Sequence, residues 1–422
     1  MTLTIKRHLE KNSHWSEVKN VIQKISQNNF QVFIVGGAIR EALLNRPIYE
    51  IDLSSSASPD EIMKLFPYAI DTFKKYGVIT IPLKNKSSLE IVTLRKDSSL
   101  SDGRRPQFIE YSNLEEDSKR RDFTINALYY DLNQDKLIDL VKGLRDLKAK
   151  KIITIGKAKD RFKEDYLRIL RALRLACQLN FDLDSSIKPA IFELRDNIKN
   201  ISQERIKKEL NKMFSHKPIK ESLNYLKEYG LFELLFPELN FNQIKRILLN
   251  YQQSLLGPEN IAFYWSILLS HLYGEEKKFS IFLKKYLSAS QQKESLKYFK
   301  SVKILLDEKQ SLGSKILAFN EKHQEVYELT QIVLNSKEME ESLKIEKKKT
   351  LPIYLKEFKK RITQGKLPPS LVTGKDLLKM KISIKKKNFS KALEKIYYFQ
   401  LENLKMNKTQ LLKKVPHILE IK

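Results

Sequence analysis

The sequence predicts an α+β protein: a mixed head of about 155 residues, then an all-helical neck, body and tail. Three observations predict it. Short β-rich runs occur only early, at NFQVFIVGG (29–37), VITIPL (78–83), LEIVTL (89–94), TINALYYDL (124–132) and KIITIG (151–156). From residue 158 onward, apolar residues recur at helical spacing between scattered Pro and Gly. The length, 422 residues, leaves room for two to four domains.

In chain order, the first apolar run ends in Gly36-Gly37 and leads into the helical AIREALLN. The polar segment RKDSSLSDGRRPQFIEYSNLEEDSKRR (95–121) has the length of an active-site loop, not of a tight turn. DRFKEDYLRILRALRLACQ (160–178) reads as one strong helix, and ISQERIKKELNKMF (201–214) as another, with Ser202 placed to cap it. These textures set boundaries at 1–155 for the head, 156–220 for the neck, 221–345 for the body and 346–422 for the tail. Pro368-Pro369 and Gly374 punctuate that tail, and KIEKKKT (344–350) reads as a solvated helix face or linker.

Composition narrows the class of function. Lys and Arg number 78 against 51 Asp and Glu, a formal charge of +27. Such a chain collects polyanions, which points to nucleic acid or nucleotides; Lys-, Ile- and Asn-rich genome composition is the alternative source of the charge. A single cysteine, Cys177, excludes a disulfide framework and reads as a small buried hydrophobe on its helix. No apolar run reaches the ~20 residues of a membrane span, and MTLTIKRHLEKNSHW has no secretory apolar stretch. The expectation is a soluble, cytoplasmic protein. Six scattered histidines, 8, 14, 216, 271, 323 and 417, offer no clustered metal ligands.

Three clusters in the head carry chemistry. Gly36-Gly37-Ala38-Ile39-Arg40 stands at a strand-to-helix junction, where the backbone can approach a phosphate and Arg40 adds a donor fork; it reads equally as a structural turn. Glu50 and Asp52 are two residues apart, so on an extended strand both carboxylates face one side, where they could share a hard divalent ion or simply end an acidic strand. Arg120-Arg121 precede Asp122-Phe123-Thr124-Ile125-Asn126-Ala127-Leu128, as a triphosphate clamp or as surface charge.

Taken together, the Gly-Gly-x-x-Arg, the carboxylate pair and the Arg-Arg-Asp-Phe-Thr-Ile-Asn-Ala run resemble the class II tRNA nucleotidyltransferase (CCA-adding) and bacterial poly(A) polymerase family. The resemblance extends through LEIVTLRKDSSLSDGRRP (89–106), DLVKGLRDLKAK (139–150) and EDYLRILRALR (164–174), faintly through ISQERIKKEL (201–210), and returns at LVTGKDLL (371–378). It implies a polymerase-β-like nucleotidyltransferase head. It also implies that Gly37 and Arg40 contact the triphosphate, that Glu50 and Asp52 are catalytic metal ligands, and that Arg121 binds nucleotide. Glu90 is the candidate third carboxylate, and Arg95 to Arg105 the loop that reshapes the pocket for the last adenosine. The chain departs from the family at Glu50, where Asp is usual, and at Glu41 after the motif arginine. The longer Glu50 makes Mn²⁺ the alternative to Mg²⁺.

In Glu164–Arg174, Asp165, Arg168, Arg171 and Arg174 recur every third residue beside an apolar stripe of Leu167, Leu170 and Leu173. Three arginines against one Asp is a lopsided ratio for ion pairing within the helix, the simpler reading. Cytosine and adenine both present an amine beside an unprotonated ring nitrogen, and a carboxylate next to a guanidinium complements that edge. The resemblance gives Asp165 and Arg168 this templating role, with Arg171 and Arg174 reaching the phosphates. DTFKKYGVITI (71–81) is closer to the CCA-adding pattern, and the loop between Leu94 and Arg120 is full length. Lys385-Lys386-Lys387 read either as a contact to a folded RNA or as solvated surface. The sequence thus predicts CCA addition to tRNA from CTP and ATP, with no membrane and no protein partner inferable. Poly(A) synthesis, A-only addition and a non-catalytic RNA-binding relative are the alternatives.

Overall fold

In the computed structural model, every residue is described except 98–108, 215–218, 250–260, 273–274, 320–321, 337–340, 363–365, 381, 383, 385–387 and 421–422. The predicted pocket-reshaping loop falls largely, and the Lys385–Lys387 run wholly, outside the described residues.

The head strands are β1 (Val32–Val35), β2 (Asp52–Ser55), β3 (Ile70–Phe73), β4 (Val78–Pro82), β5 (Ser88–Thr93), β6 (Arg95–Asp97), β7 (Ile109–Tyr111), β8 (Leu128–Asp131) and β9 (Lys136–Asp139). Seven of them form one sheet in the order β3-β4-β5-β2-β1-β8-β9, while β6 and β7 make a separate antiparallel ribbon. Only β2 and β5 run parallel within the large sheet. The pairings align one row of residues across all seven strands: Ile70, Thr80, Glu90, Asp52, Val35, Tyr129 and Ile138. Because side chains alternate along a strand, this row shares one face, and Ile34, Leu53 and Ile91 take the other. Those three are fully buried or nearly so.

Helices pack the head for legible reasons. In α1 (Thr2–Glu10) and α2 (Trp15–Gln27), Ile5 and Leu9, then Val18, Val21, Ile22 and Ile25, recur at helical spacing and are buried. Gly36, at φ 75° and ψ −129°, occupies backbone space that a side chain resists, and it turns β1 into α3 (Gly37–Leu43). A reciprocal capping box between Ser58 and Glu61, with Pro59 behind it, starts α4 (Pro59–Leu65). Then come α5 (Leu114–Arg120), α6 (Gly143–Lys148), α7 (Ala158–Glu164), α8 (Leu167–Leu179), α9 (Ile187–Leu194) and α10 (Gln203–Phe214).

Three elements differ from their sequence reading; the first, KIITIG, is strand only at Lys151–Ile152, which pairs in parallel with Asp182–Leu183. TINALYYDL is strand only from Leu128; Thr124–Asn126 forms a 3₁₀ turn that packs against α6. The predicted single helix 160–178 breaks at Asp165, which is extended at φ −156°. There its Oδ1 accepts the Leu167 N–H at 3.1 Å, a local bond through which Asp competes with helix propagation. The Leu167, Leu170 and Leu173 stripe is buried as expected, and so is Cys177.

The chain divides into two compact units, Met1–Lys217 with Glu221–Glu238, and Pro218–Lys220 with Leu239–Lys422. The described part of the second unit is helical. Its core includes Ile261–Leu268, every residue of which is buried, with Trp265 stacked on Tyr286 at 4.5 Å between ring centroids. Near its end, Val372, Leu377, Ala392, Ile396, Leu411 and Val415 form a separate apolar cluster around the LVTGKDLL segment.

Gly143 begins α6 directly beneath the 3₁₀ turn: a Cβ there would lie 2.3 Å from the Thr124 carbonyl oxygen. Gly143→Ala is expected to cost about 2–3 kcal/mol, read as a lower urea midpoint with an unchanged slope.

Candidate active site

The site grows from the register row. The parallel pairing of β2 with β5 sets Asp52 beside Glu90 on one face of the sheet. Asp52 is half-buried, and its carboxyl is raised to about 6 by burial first, then by the charges of Glu90 and Glu50; Arg121 and Lys212 pull the other way. Among the described residues, no salt bridge neutralises Asp52 or Glu90. Two adjacent oxygen donors with unbalanced negative charge suit a hard divalent cation. The donor set therefore fits the metal that the resemblance implies, even though the described residues contain no closed cluster of three His, Cys, Asp or Glu around a common point.

Glu50 stands differently from its prediction. It precedes β2 instead of lying on it, and its side chain is 73% exposed. Its Oε2 accepts from Lys212 Nζ of α10 at 3.0 Å. Partial desolvation raises this carboxyl, but Lys212, with Lys208 and Arg174 behind it, outweighs that and holds it below the ordinary value.

Arg121 is inside the protein. Its Nε and Nη2 donate to Asp117 at 3.1 and 3.0 Å, to the Tyr129 hydroxyl at 2.8 Å and to Ser54 Oγ at 2.9 Å. Ser54 shares the face of Asp52, two residues along β2, so this guanidinium sits over the carboxylate row. Arg120 ends α5 on the same Asp117.

Arg40 is buried as well. It donates from Nη1 to Asn126 Oδ1, and from Nε and Nη2 to Glu41 Oε1 at 3.0 and 2.6 Å. The glutamate that departs from the family pattern thus holds the motif arginine. Gly37 lies against Arg40, whose Nη2 is 3.6 Å from where a Cβ would be.

From Asn126 a polar chain runs into the neck. Asn126 donates to Asp122 Oδ1 at 3.1 Å, and Asp122 Oδ2 accepts from Arg171 Nε at 2.7 Å. Arg171 also faces Glu209 of α10 at 3.6 Å, and Glu209 accepts from Arg174 Nε at 2.6 Å. Burial works against Asp122's charge, yet Arg171 and Asn126 hold it well below the carboxylate range. The stripe itself offers these arginines only Asp165, as the sequence shows; the partners of Arg171 and Arg174 come from other segments, Asp122 and Glu209.

Asp165 and Arg168 are likewise held. Arg205 of α10 grips both Asp165 oxygens, at 3.1 and 2.6 Å. Arg168 Nη1 meets Glu164 and the Arg161 carbonyl, and its Nη2 meets the Arg120 carbonyl at 3.3 Å. Since Asp165 is outside the helix, the predicted helical neighbourhood of the two does not exist; a backbone bond from the Arg168 N–H to the Asp165 carbonyl, 3.0 Å, relates them instead. Sequence reading missed Asp117, Asn126, Arg205, Glu209 and Lys212. The last three were available as a signal, since positions i, i+4 and i+7 share one helix face.

A sheet bearing paired carboxylates beside a glycine turn defines a nucleotidyltransferase head. Residues 32–153 match the Poly A polymerase head domain, and residues 180–242 match the probable RNA and SrmB- binding site of polymerase A. The CCA-adding enzyme of Lactococcus lactis subsp. lactis is 33% identical over 377 residues, covering 83% of this chain and 94% of that one. The CCA-adding enzyme of Lactobacillus delbrueckii subsp. bulgaricus is 36% identical over 277 residues, 65% of this chain and 69% of its own. The crystal structure of Bacillus stearothermophilus CCA-adding enzyme in complex with CTP superimposes with a TM-score of 0.66 at 24% identity, over 97% of this chain and 98% of that one. Thermotoga maritima CCA-adding enzyme complexed with tRNA gives a TM-score of 0.57 at 20% identity, with 98% of each chain covered; these two likenesses show the fold. The chain belongs to the CCA-adding enzyme family of tRNA nucleotidyltransferases.

Asp52 gives a stability prediction. Its folded-state pKa, about 6, lies above the ordinary 3.8, so its charge destabilises the metal-free fold above that pH, and the penalty fades as pH falls through 6 toward 3.8. Asp52→Asn is expected to stabilise the metal-free protein by about 3 kcal/mol at pH 7.5 and by only about 1 kcal/mol at pH 4.5, measured by urea unfolding.

Proposed function

We propose that this protein adds C, C and A to tRNA 3′ ends from CTP and ATP, with release of pyrophosphate. The observation that supports it most is the register-paired Asp52 and Glu90, whose crowded charge awaits a cation. Mg²⁺ is the expected ion, with Mn²⁺ as substitute, and Glu50, Asp52 and Glu90 are the carboxylates that would hold it. A divalent ion there supplies positive charge for the attacking hydroxyl and the leaving pyrophosphate. The 3′-oxygen bonds to the α-phosphorus as the α–β bridging oxygen departs. The chain's own part is to orient these partners. Gly36 and Gly37 let the backbone come close to the triphosphate at the start of α3, with Arg40 beside them. Arg121 adds fixed positive charge over the carboxylate face.

For base choice, Asp165 accepts from the exocyclic amine of C or A, and Arg168 donates to the neighbouring ring nitrogen. Both are internally paired here, so reading a base exchanges bonds to Arg205 and Glu164 for bonds to the base edge. Uracil and guanine present a carbonyl beside an N–H, which leaves both groups mismatched. Arg171 and Arg174 contribute positive field behind them. The excess of 78 basic over 51 acidic residues favours grip on the phosphates of tRNA, whose shape, more than its sequence, is recognised. tRNA as substrate puts the work in the cytoplasm.

The test is extension of tRNA lacking CCA with CTP and ATP, separately and together, in Mg²⁺ and then Mn²⁺, resolved at single-nucleotide length. Addition of three nucleotides requiring both substrates is expected. A long ladder with ATP alone, or no extension despite tRNA binding, contradicts the proposal. Asp52→Ala is expected to lower incorporation by at least 10³-fold with tRNA affinity unchanged. Asp165→Ala should cut discrimination against UTP by about 10–100-fold, since each lost base-edge pairing is worth about 1–3 kcal/mol.

A further inference from the structure

One charged contact in the first unit has no part in the chemistry above: Lys212 Nζ on Glu50 Oε2, 3.0 Å apart. It joins residues 162 positions apart in sequence, from the C-terminal half of α10 to the approach of β2. The lysine is aimed from an anchored backbone, because its carbonyl accepts from Gln178 Nε2 of α8 at 2.7 Å. Arg205, Glu209 and Lys212 lie at i, i+4 and i+7 on one face of α10. That face meets three parts of the site: Asp165 through Arg205, Arg171 and Arg174 through Glu209, and Glu50 through Lys212. Glu50 is the position where this chain carries the longer carboxylate.

We propose that Lys212 is a positioning residue, an internal counter-cation that keeps Glu50 paired until a divalent ion takes the carboxylate, and that it thereby sets the metal affinity of the site. The proposal rests on the reading of Glu50 as a metal ligand. An ammonium on a ligand oxygen and a metal ion cannot hold that oxygen in the same way, so each weakens the other. The pair is largely solvated, with Glu50 73% and Lys212 36% exposed, and pairs of this kind are modest in strength. Lys212 is therefore readily displaced, and the competition it imposes is a few-fold one.

The experiment is Mn²⁺ titration of the full chain, without nucleotide or tRNA, followed by the electron paramagnetic resonance signal of free Mn²⁺. The proteins are wild type, Lys212→Met, Lys212→Gln, Lys212→Arg, Glu50→Gln and Lys212→Met/Glu50→Gln, each first checked for a cooperative melt. Removing the lysine charge is expected to tighten Mn²⁺ binding roughly three- to five-fold, with Lys212→Arg close to wild type. The gain should vanish in the Glu50→Gln background. Glu50→Gln alone should weaken binding. If it weakens binding while Lys212→Met and Lys212→Gln change nothing, the counter-cation role is overturned and Glu50 remains a ligand. Equal tightening with and without Glu50 also overturns it, since a general field effect then suffices. If Glu50→Gln leaves Mn²⁺ affinity unchanged, Glu50 is no ligand, and the premise falls together with the proposal.

Discussion

Two carboxylates forced side by side by a parallel strand pairing are the constraint around which the head is organised. Asp52 and Glu90 are neighbours because β2 and β5 share a register, and shifting either strand by one residue would send its carboxylate to the opposite, apolar face. That face holds Leu53 and Ile91, both buried, so the slip is strongly disfavoured. Hydrophobic burial on one side of the sheet thus enforces electrostatic crowding on the other. The crowding shows in Asp52, raised to about 6. A fold that stores repulsion at one point gains specificity for a ligand that relieves it, and a divalent cation does so more fully than any nearby side chain.

The rest of the first unit positions groups around that row through polar contacts between distant segments. Arg40, Asn126, Asp122, Arg171, Glu209 and Arg174 form a continuous chain from α3 through the 3₁₀ turn to α8 and α10. Its members are mostly buried, where removing one partner of an ion pair strands the other without solvent, typically at a cost of about 3–5 kcal/mol. The chain is therefore a rigid coupling between the glycine turn at the start of α3 and the helices α8 and α10. Arg121, held by Asp117, Tyr129 and Ser54, is a second such fixture on the carboxylate face.

Much of this was legible from local sequence. Gly36 is readable because a strand-to-helix turn at φ 75° calls for glycine, and the β-rich runs locate β1, β4 and β5 by their apolar content. The Leu167, Leu170 and Leu173 stripe identifies the buried face of α8 through its spacing. Asp165 misled because a helical period continued across it, while its side chain bonds locally to the Leu167 N–H and ends α7. The partners of Arg171 and Arg174 were out of reach for another reason. Asp122 and Glu209 lie 49 and 35 residues away from them respectively, and no local pattern encodes such pairings. Glu50 looked equivalent to Asp52 because they are two residues apart, but β2 begins only at Asp52, so strand geometry does not govern Glu50.

Glu90 and Glu50 leave Asp52 with a crowded charge that a divalent cation would relieve. The most direct test is carboxyl ¹³C NMR on protein labelled at Asp, with Asp52 assigned by comparison with Asp52→Asn and titrated with and without Mg²⁺. A midpoint near 6 is expected in the absence of metal, falling by at least one pH unit with Mg²⁺ in excess. A midpoint near 4 that does not respond to Mg²⁺ would contradict it.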